Sequence, residues 1–238
     1  MPEQVVESSA KTESTQTATR FGALTLSLVV AVVALALFAW LSNEMLRGAT
    51  RQFDANVRAS VHAHSSHELT RAMLILSSLG SPLVLTSATA MLVVIFLVVN
   101  WHRAAAWMAI AMVGAAILDV ALKHAFRRPR PAPFFEVPLP GSASFPSGHA
   151  LASFCFFGVL AALLAHRMRA RLWAALVWLA AAMLIAAIGF SRVYLGVHYP
   201  TDVVAGWMFG FFWASLCWIV AKRFERETGV AQEREKAD

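Results

Sequence analysis

Residues 146–165 read PSGHALASFCFFGVLAALLA. From Gly148 to Ala165 this run carries no formal charge. A hydrocarbon core about 30 Å thick takes about 20 helical residues to cross, so the run predicts a transmembrane helix. Ser147 is a good N-cap for it. The free N–H groups of Gly148, His149 and Ala150 then point out of the helix end with the dipole behind them. Such an end attracts a phosphate oxygen, and glycine lets the backbone come close. The plainer alternative is a loop-to-helix junction, and the tetrapeptide alone leaves both open.

Five further runs have bilayer length: Phe21 to Ala39, Leu83 to Val99, Ala104 to Leu122, Leu172 to Phe190, and Val203 to Ala221. Among the six runs, Asp119 is the one formal charge. Hydrophobic residues make up 58% of the chain and charged ones 14%, which excludes a soluble globular domain. The predicted fold is all-α, a polytopic membrane bundle of six transmembrane helices. Residues 1–20 are polar, without apolar periodicity, and read as a disordered tail; residues 21–221 form the six-span unit; residues 222–238 are a charged tail. The first run is too long for a signal-peptide core, and no A-x-A-like site follows it.

Between the first two runs, Phe53, Val57, Val61, Leu69, Met73 and Leu76 recur at roughly helical spacing. That pattern predicts short amphipathic helices lying on the bilayer surface, ended by Gly80-Ser81-Pro82. Trp40, Trp101, Trp173 and Trp218 fall near run ends, as an interfacial aromatic belt requires. Cys155 and Cys217 lie inside apolar runs as small buried hydrophobes. A net charge of +6 does not imply nucleic acid, because the cations lie between the spans rather than on one basic face. Arg103, Arg167, Arg169, Arg171 and Lys222 fall in alternate connections, which orients both termini to the cytoplasm in an inner (cell) membrane. The loops Lys123 to Pro146 and Ser191 to Thr201 then share the outer face. His62, His64 and His67 are spaced well enough for zinc but lack cysteine or carboxylate company, so they read as a wetted interfacial face. His102, His124 and His166 read as topological or interfacial.

The outer loops carry the reactive residues. Residues 191–202 read SRVYLGVHYPTD. Pro200 suits the first position of a helix, and Asp202 falls in its first turn. His198 lies four residues before Asp202, within reach of the carboxylate. A carboxylate holding one ring proton leaves the other nitrogen free to attack; a His–Asp pair tying loop to helix is the equal alternative. Residues 123–131 read KHAFRRPRP. Arginine offers phosphate a planar fork and lysine a point charge, though basic residues also flank many spans to meet headgroups. Asp119, one turn before Lys123, needs a partner in the membrane, and Lys123 at i+4 supplies one.

KHAFRRPRP, PSGH at 146–149 and SRVYLGVHYPTD, in this order, resemble the type 2 phosphatidic acid phosphatase family, which shares its site with vanadium haloperoxidases. The resemblance implies an integral membrane phosphatase acting on a lipid phosphate, with the bilayer and its lipid substrate as partners and no metal or other cofactor. It implies His198 as nucleophile forming a phosphohistidine, Asp202 orienting it, and His149 protonating the leaving oxygen. Lys123, Arg130 and Arg192 would hold the phosphoryl oxygens, with Ser147 and the Gly148 amide adding hydrogen bonds. Arg127 and Arg128 fall outside the matched positions and read as cations that meet headgroups or support the site residues from behind. Phe134, Phe135 and Val137 are placed to line the lipid's approach. Phosphatidate, phosphatidylglycerol phosphate and undecaprenyl diphosphate all fit motifs that read only a terminal phosphate. A lipid phosphotransferase and a non-enzymatic lipid-binding or transport protein are the alternatives; a haloperoxidase is disfavoured because its relatives are soluble. Asp119→Ala is expected to lower activity or folding yield by freeing Lys123. Full activity and yield in that variant would refute the pairing.

Overall fold

A computed structural model of the chain describes residues 25–235, with side chains through residue 223. The N-terminal tail and the first four residues of the first predicted span lie outside the described residues, as do residues 236–238. All regular structure among the described residues is helical: α1 (Thr25–Leu46), α2 (Arg51–Ala63), α3 (His67–Leu79), α4 (Pro82–Val98), α5 (His102–Phe126), α6 (Gly148–Arg167), α7 (Arg171–Tyr194) and α8 (Pro200–Glu235). The fold is an all-α membrane bundle.

Five helices, α1, α5, α6, α7 and the Pro200–Arg223 part of α8, are long and apolar enough to cross a bilayer. The second predicted span is different. At 17 residues, α4 rises only about 25 Å at 1.5 Å per residue, short of a full hydrocarbon core. It passes as a span together with α3, from which it is bent by 47°. Local sequence makes that bend: Gly80 ends α3, Ser81 Oγ accepts from Val84 N at 3.3 Å, and Pro82 occupies the first turn of α4.

At the centre stands α6, with half of its apolar window buried against 22% for α1, α5 and α7. On one side, Met108 and Ala111 of α5 and Phe96 of α4 pack on Phe156 and Val159. On the other, Phe38, Leu41 and Met45 of α1 close over Leu151, Cys155, Ala205 and Phe209. The outward faces carry exposed Val113, Ile117, Leu179 and Met183, which only lipid would cover favourably.

The amphipathic helices α2 and α3 form as expected, but their apolar stripe faces protein rather than lipid. Val57 and Val61 pack against Ala150, Val193 and Val203, while Leu69, Met73 and Leu76 pack around Tyr194, Leu195 and Val197. The α2–α3 pair therefore covers the ends of α6, α7 and α8. Met73 is buried there and Val57, Val61, Leu69 and Leu76 are half-buried, while Phe53 at the start of α2 stays exposed.

Close approach of α6 and α8 positions the site. A Cβ on Gly206 would lie 2.7 Å from Ser147 O and 2.9 Å from Ala150 Cβ. The backbones also bond directly, Ser147 N donating to Asp202 O at 2.9 Å. Gly206→Ala is expected to cost about 1–3 kcal/mol by overpacking, read as a lower unfolding temperature in detergent. An unchanged transition would show that the two helices have room to part.

Candidate active site

Four helix ends meet at one end of the bundle. The last turns of α5 bring Asp119 and Lys123, the start of α6 brings Gly148 and His149, the end of α7 brings Arg192, and the first turn of α8 brings Asp202. His198 sits in the short turn between α7 and α8, and residues 127–147 fold over the group.

Asp202 is fully buried. Its Oδ2 accepts from Ser144 Oγ, from Tyr199 N at 2.9 Å and from His198 Nδ1 at 3.3 Å; its Oδ1 accepts from Arg128 Nη1 at 2.6 Å. On the other side of the His198 ring, Nε2 lies 3.1 Å from Arg130 Nη1. A guanidinium can only donate, so Nε2 holds a lone pair and the ring proton is on Nδ1, towards the carboxylate. Burial pushes the His198 pKa down to about 4; the bond to Asp202 opposes this, and the charges of Arg130 and Arg192 add to it. The imidazole is therefore neutral near pH 7, with its free lone pair facing cations. His149 shares the electrostatic field of Arg192, His198, Lys123 and Arg130, and its ring lies against Gly80, whose built Cβ would be 3.4 Å from His149 Cδ2.

The cations fall into two kinds. Lys123 Nζ pairs with Asp119 Oδ2 at 2.7 Å, one turn apart on α5. Arg128 pairs with both Asp54 and Asp202. Arg130 and Arg192 form no salt bridge among the described residues. Arg130 is braced by backbone oxygens, Nε donating to Ser142 O at 2.8 Å and Nη1 to Val197 O at 3.2 Å. Arg192 Nη1 donates to Ser77 Oγ of α3, while its Nε is buried without a partner among the described residues. Ser147 Oγ is also buried and unpartnered among them. Ser147 occupies the N-cap position, but its hydroxyl makes no cap bond, contrary to the reading of a side-chain cap. A buried serine hydroxyl, two guanidinium groups without a carboxylate and a lysine make a set that suits an anion and repels a metal cation.

Gly148 has a second reason besides ligand approach. Its Cβ would lie 2.7 Å from Asp119 Oδ1, so the Asp119 carboxylate leans on the α6 backbone and only glycine admits it. A cavity of about 540 Å³ opens beside the group, lined by Lys123, Arg127 and Arg130 among others.

Of the two sequence readings of Arg128, the structure shows the one that supports the site from behind: it bridges two buried carboxylates and lies over the Tyr199 ring at 3.9 Å. Phe134, Phe135 and Val137 do not line a free approach. Phe134 stacks on His62 at 4.2 Å, Phe135 stacks on Tyr194 at 5.6 Å, and Val137 packs in the same cluster, so these residues clamp the loop to α2 and α7. His62 stacks on Phe134 yet stays exposed, as do His64, whose Nδ1 donates to Ser60 O at 2.8 Å, and His67, whose Nε2 faces Arg71 at 3.4 Å. Sequence reasoning missed Asp54, Ser77, Ser144 and Thr201. Thr201 and Ser144 lie in or beside the quoted motifs, whereas Asp54 and Ser77 reach the site through tertiary contacts that no spacing rule marks.

A helical membrane bundle thus holds a buried imidazole–carboxylate pair that faces guanidinium groups. The chain belongs to the PAP2 superfamily, whose model matches residues 104–226. It is 36% identical over 136 residues to a lipid A 1-phosphatase from Rhizobium etli, covering 53% of each chain. It is 37% identical over 95 residues to phosphatidylglycerophosphatase B from Bacillus subtilis, covering 40% of this chain and 46% of that one. It is 31% identical over 143 residues to an undecaprenyl-diphosphatase from Sulfolobus acidocaldarius, covering 58% and 64%. The chain spans about half the length of the first of these relatives. Among solved structures, a transmembrane PAP2-type phosphatidylglycerolphosphate phosphatase from Bacillus subtilis shares the fold at a TM-score of 0.73 and 24% identity, covering 83% of this chain and 96% of that chain.

Burial makes a spectroscopic prediction. His198 is expected to titrate near 4 in histidine NMR of the detergent-solubilised protein. A midpoint at or above the ordinary imidazole value of about 6.5 would contradict the buried, cation-facing geometry.

Proposed function

We propose that this chain is an integral membrane lipid phosphate phosphatase, removing the terminal phosphate of a lipid phosphate or diphosphate through a phosphohistidine on His198. The observation that carries this reading is the disposition of that ring, with Nδ1–H held towards Asp202 and the Nε2 lone pair beside Arg130. The three curated relatives are by name phosphatases of lipid A, phosphatidylglycerophosphate and undecaprenyl diphosphate, three lipids that share only a phosphate on an apolar body.

In the proposed reaction, Arg130, Arg192 and Lys123 take the phosphoryl oxygens, with Ser147 Oγ and the Gly148 amide as further donors. Nε2 of His198 attacks phosphorus in line, forming the P–N bond as the P–O bond to the lipid breaks. His149 gives its proton to the departing oxygen. Asp202 offsets the positive charge that the ring acquires, and Asp119 holds Lys123 in place. Water then gives a proton to His149 and attacks phosphorus, and the P–N bond breaks to return His198 and release phosphate. The electrophilic stabilisation comes from side-chain cations, so the reading requires no metal. Arginines at the start of α5 and around the α6–α7 turn, opposite the site, support an outer-face site with cytoplasmic termini.

Purified protein in detergent should release phosphate from a panel of phosphatidate, phosphatidylglycerol phosphate and undecaprenyl diphosphate with a chelator present. Vanadate should inhibit as a pentacoordinate mimic, and His198→Ala should abolish release. No release from any lipid phosphate, or full activity in His198→Ala, would overturn the reading.

A further inference from the structure

We propose that Asp54 of α2 and Arg128 of the loop are positioning residues that set the charge on Asp202 and, through it, the orientation and basicity of His198. This rests on the reading of His198 as nucleophile, and it makes the first outer connection part of the catalytic unit rather than a surface cover.

Asp54 is fully buried on a helix whose mean character is polar, and it is the one buried residue of α2. A lone carboxylate in such a place is costly unless paired and hydrogen-bonded. Both needs are met from the site. Arg128 Nη2 donates to Asp54 Oδ2 at 2.7 Å, Thr201 Oγ1 donates to the same oxygen at 2.8 Å, and Thr201 N donates to Oδ1 at 3.1 Å. The other arm of Arg128 donates to Asp202 Oδ1 at 2.6 Å and to Thr201 Oγ1 at 2.9 Å. The result is a linear relay, Asp54–Arg128–Asp202–His198, crossing from α2 through the loop to α8. The Arg128 side chain is 10% exposed and the two carboxylates 1% and 0%, so solvent screening is weak along its whole length. Arg58 of α2 acts on both carboxylates through space, but Arg128 is the arginine bonded to both, and it divides its charge between them. Asp54 thereby limits how far Arg128 neutralises Asp202, which leaves Asp202 enough charge to hold Nδ1–H and support the positive ring.

The groups facing His198 are Asp202 from α8, Arg130 and Ser144 from the loop, Arg192 from α7 and, across the site, His149 from α6, with the Lys123–Asp119 pair of α5 acting on His149. Neither substitution replaces any of these groups, and of them only Asp202 is bonded by the Arg128 side chain, so both variants act on His198 through Asp202. Their signs differ. Asp54→Asn leaves Arg128 uncompensated beside Asp202 and lowers the proton affinity of His198. Arg128→Gln removes a positive charge and raises it. A scaffold role alone would move both variants the same way, or move stability with no titration shift.

The test follows the acid limb of kcat/KM for phosphate release from a lipid phosphate, together with the His198 titration by NMR, in Asp54→Asn, Arg128→Gln and the double variant. The limb should move to lower pH in Asp54→Asn and to higher pH in Arg128→Gln by about half a unit, below the roughly 1–3 units of a directly contacting charge, and return near wild type in the double variant. Both single variants should lose kcat about 10–100-fold, the range for outer partners of functional histidines, with KM changed less than about twofold. Shifts of one sign, no shift, or failure of all three variants to fold would overturn the proposal. Where one single variant fails to fold, the sign in the other and the position of the double variant decide. If the wild type releases no phosphate, the phosphatase reading fails, while the NMR titration still decides the relay.

Discussion

A buried carboxylate has to be satisfied, and the Asp202 side chain organises the site end of the bundle by that requirement alone. It draws a serine hydroxyl and a guanidinium from the 127–147 loop, a backbone amide from its own turn and an imidazole from four residues upstream. Each bond also orients its donor. The loop is pulled over the site, the Pro200 turn is closed, and the His198 tautomer is fixed with its lone pair pointing away from the acid. Ser144, placed two residues before Pro146, ties the same carboxylate to the chain that starts α6. With the Gly206 close approach, this gives α6 and α8 one register at the site.

Charge balance explains which cations remain for a ligand. Among the described residues, Asp119 takes Lys123, and Asp54 and Asp202 share Arg128, so the three carboxylates near the site occupy two of its cations. Arg130 and Arg192 are held instead by neutral oxygens of Ser142, Val197 and Ser77, which position a guanidinium without neutralising it. The field at the His198 lone pair is therefore positive, as a phosphoryl group requires. In the proposed chemistry the same field keeps the imidazole neutral at physiological pH and stabilises the charge gathering on the phosphoryl oxygens.

Short-range physics was legible in the sequence. Bilayer-length apolar runs mark the spans, Lys123 lies at i+4 from Asp119, and His198 lies at i+4 from Asp202; each is a one-dimensional signal of a local contact. The second span was legible only in part, because Gly80-Ser81-Pro82 marks a break but not that the helix before it joins the span. The contacts missed are those made across the fold. Asp54 and Arg128 are 74 positions apart, and Ser77 and Arg192 are 115 apart. The amphipathic pattern that reveals α2 and α3 as helices carries no information on whether lipid or protein covers their apolar side. For Phe134 and Phe135 the same ambiguity applies, since an aromatic near an interface packs on protein when a neighbour such as His62 or Tyr194 presents a face.

In the proposed chemistry the Nε2 atom of His198 becomes bonded to phosphorus during turnover. The decisive experiment mixes the protein with a lipid carrying a radiolabelled terminal phosphate, quenches in alkali within one turnover and maps the label by peptide mass spectrometry. An alkali-stable, acid-labile phosphate on His198 is expected. Label on another residue, or complete hydrolysis with no protein-bound phosphate and inversion at phosphorus, would contradict it.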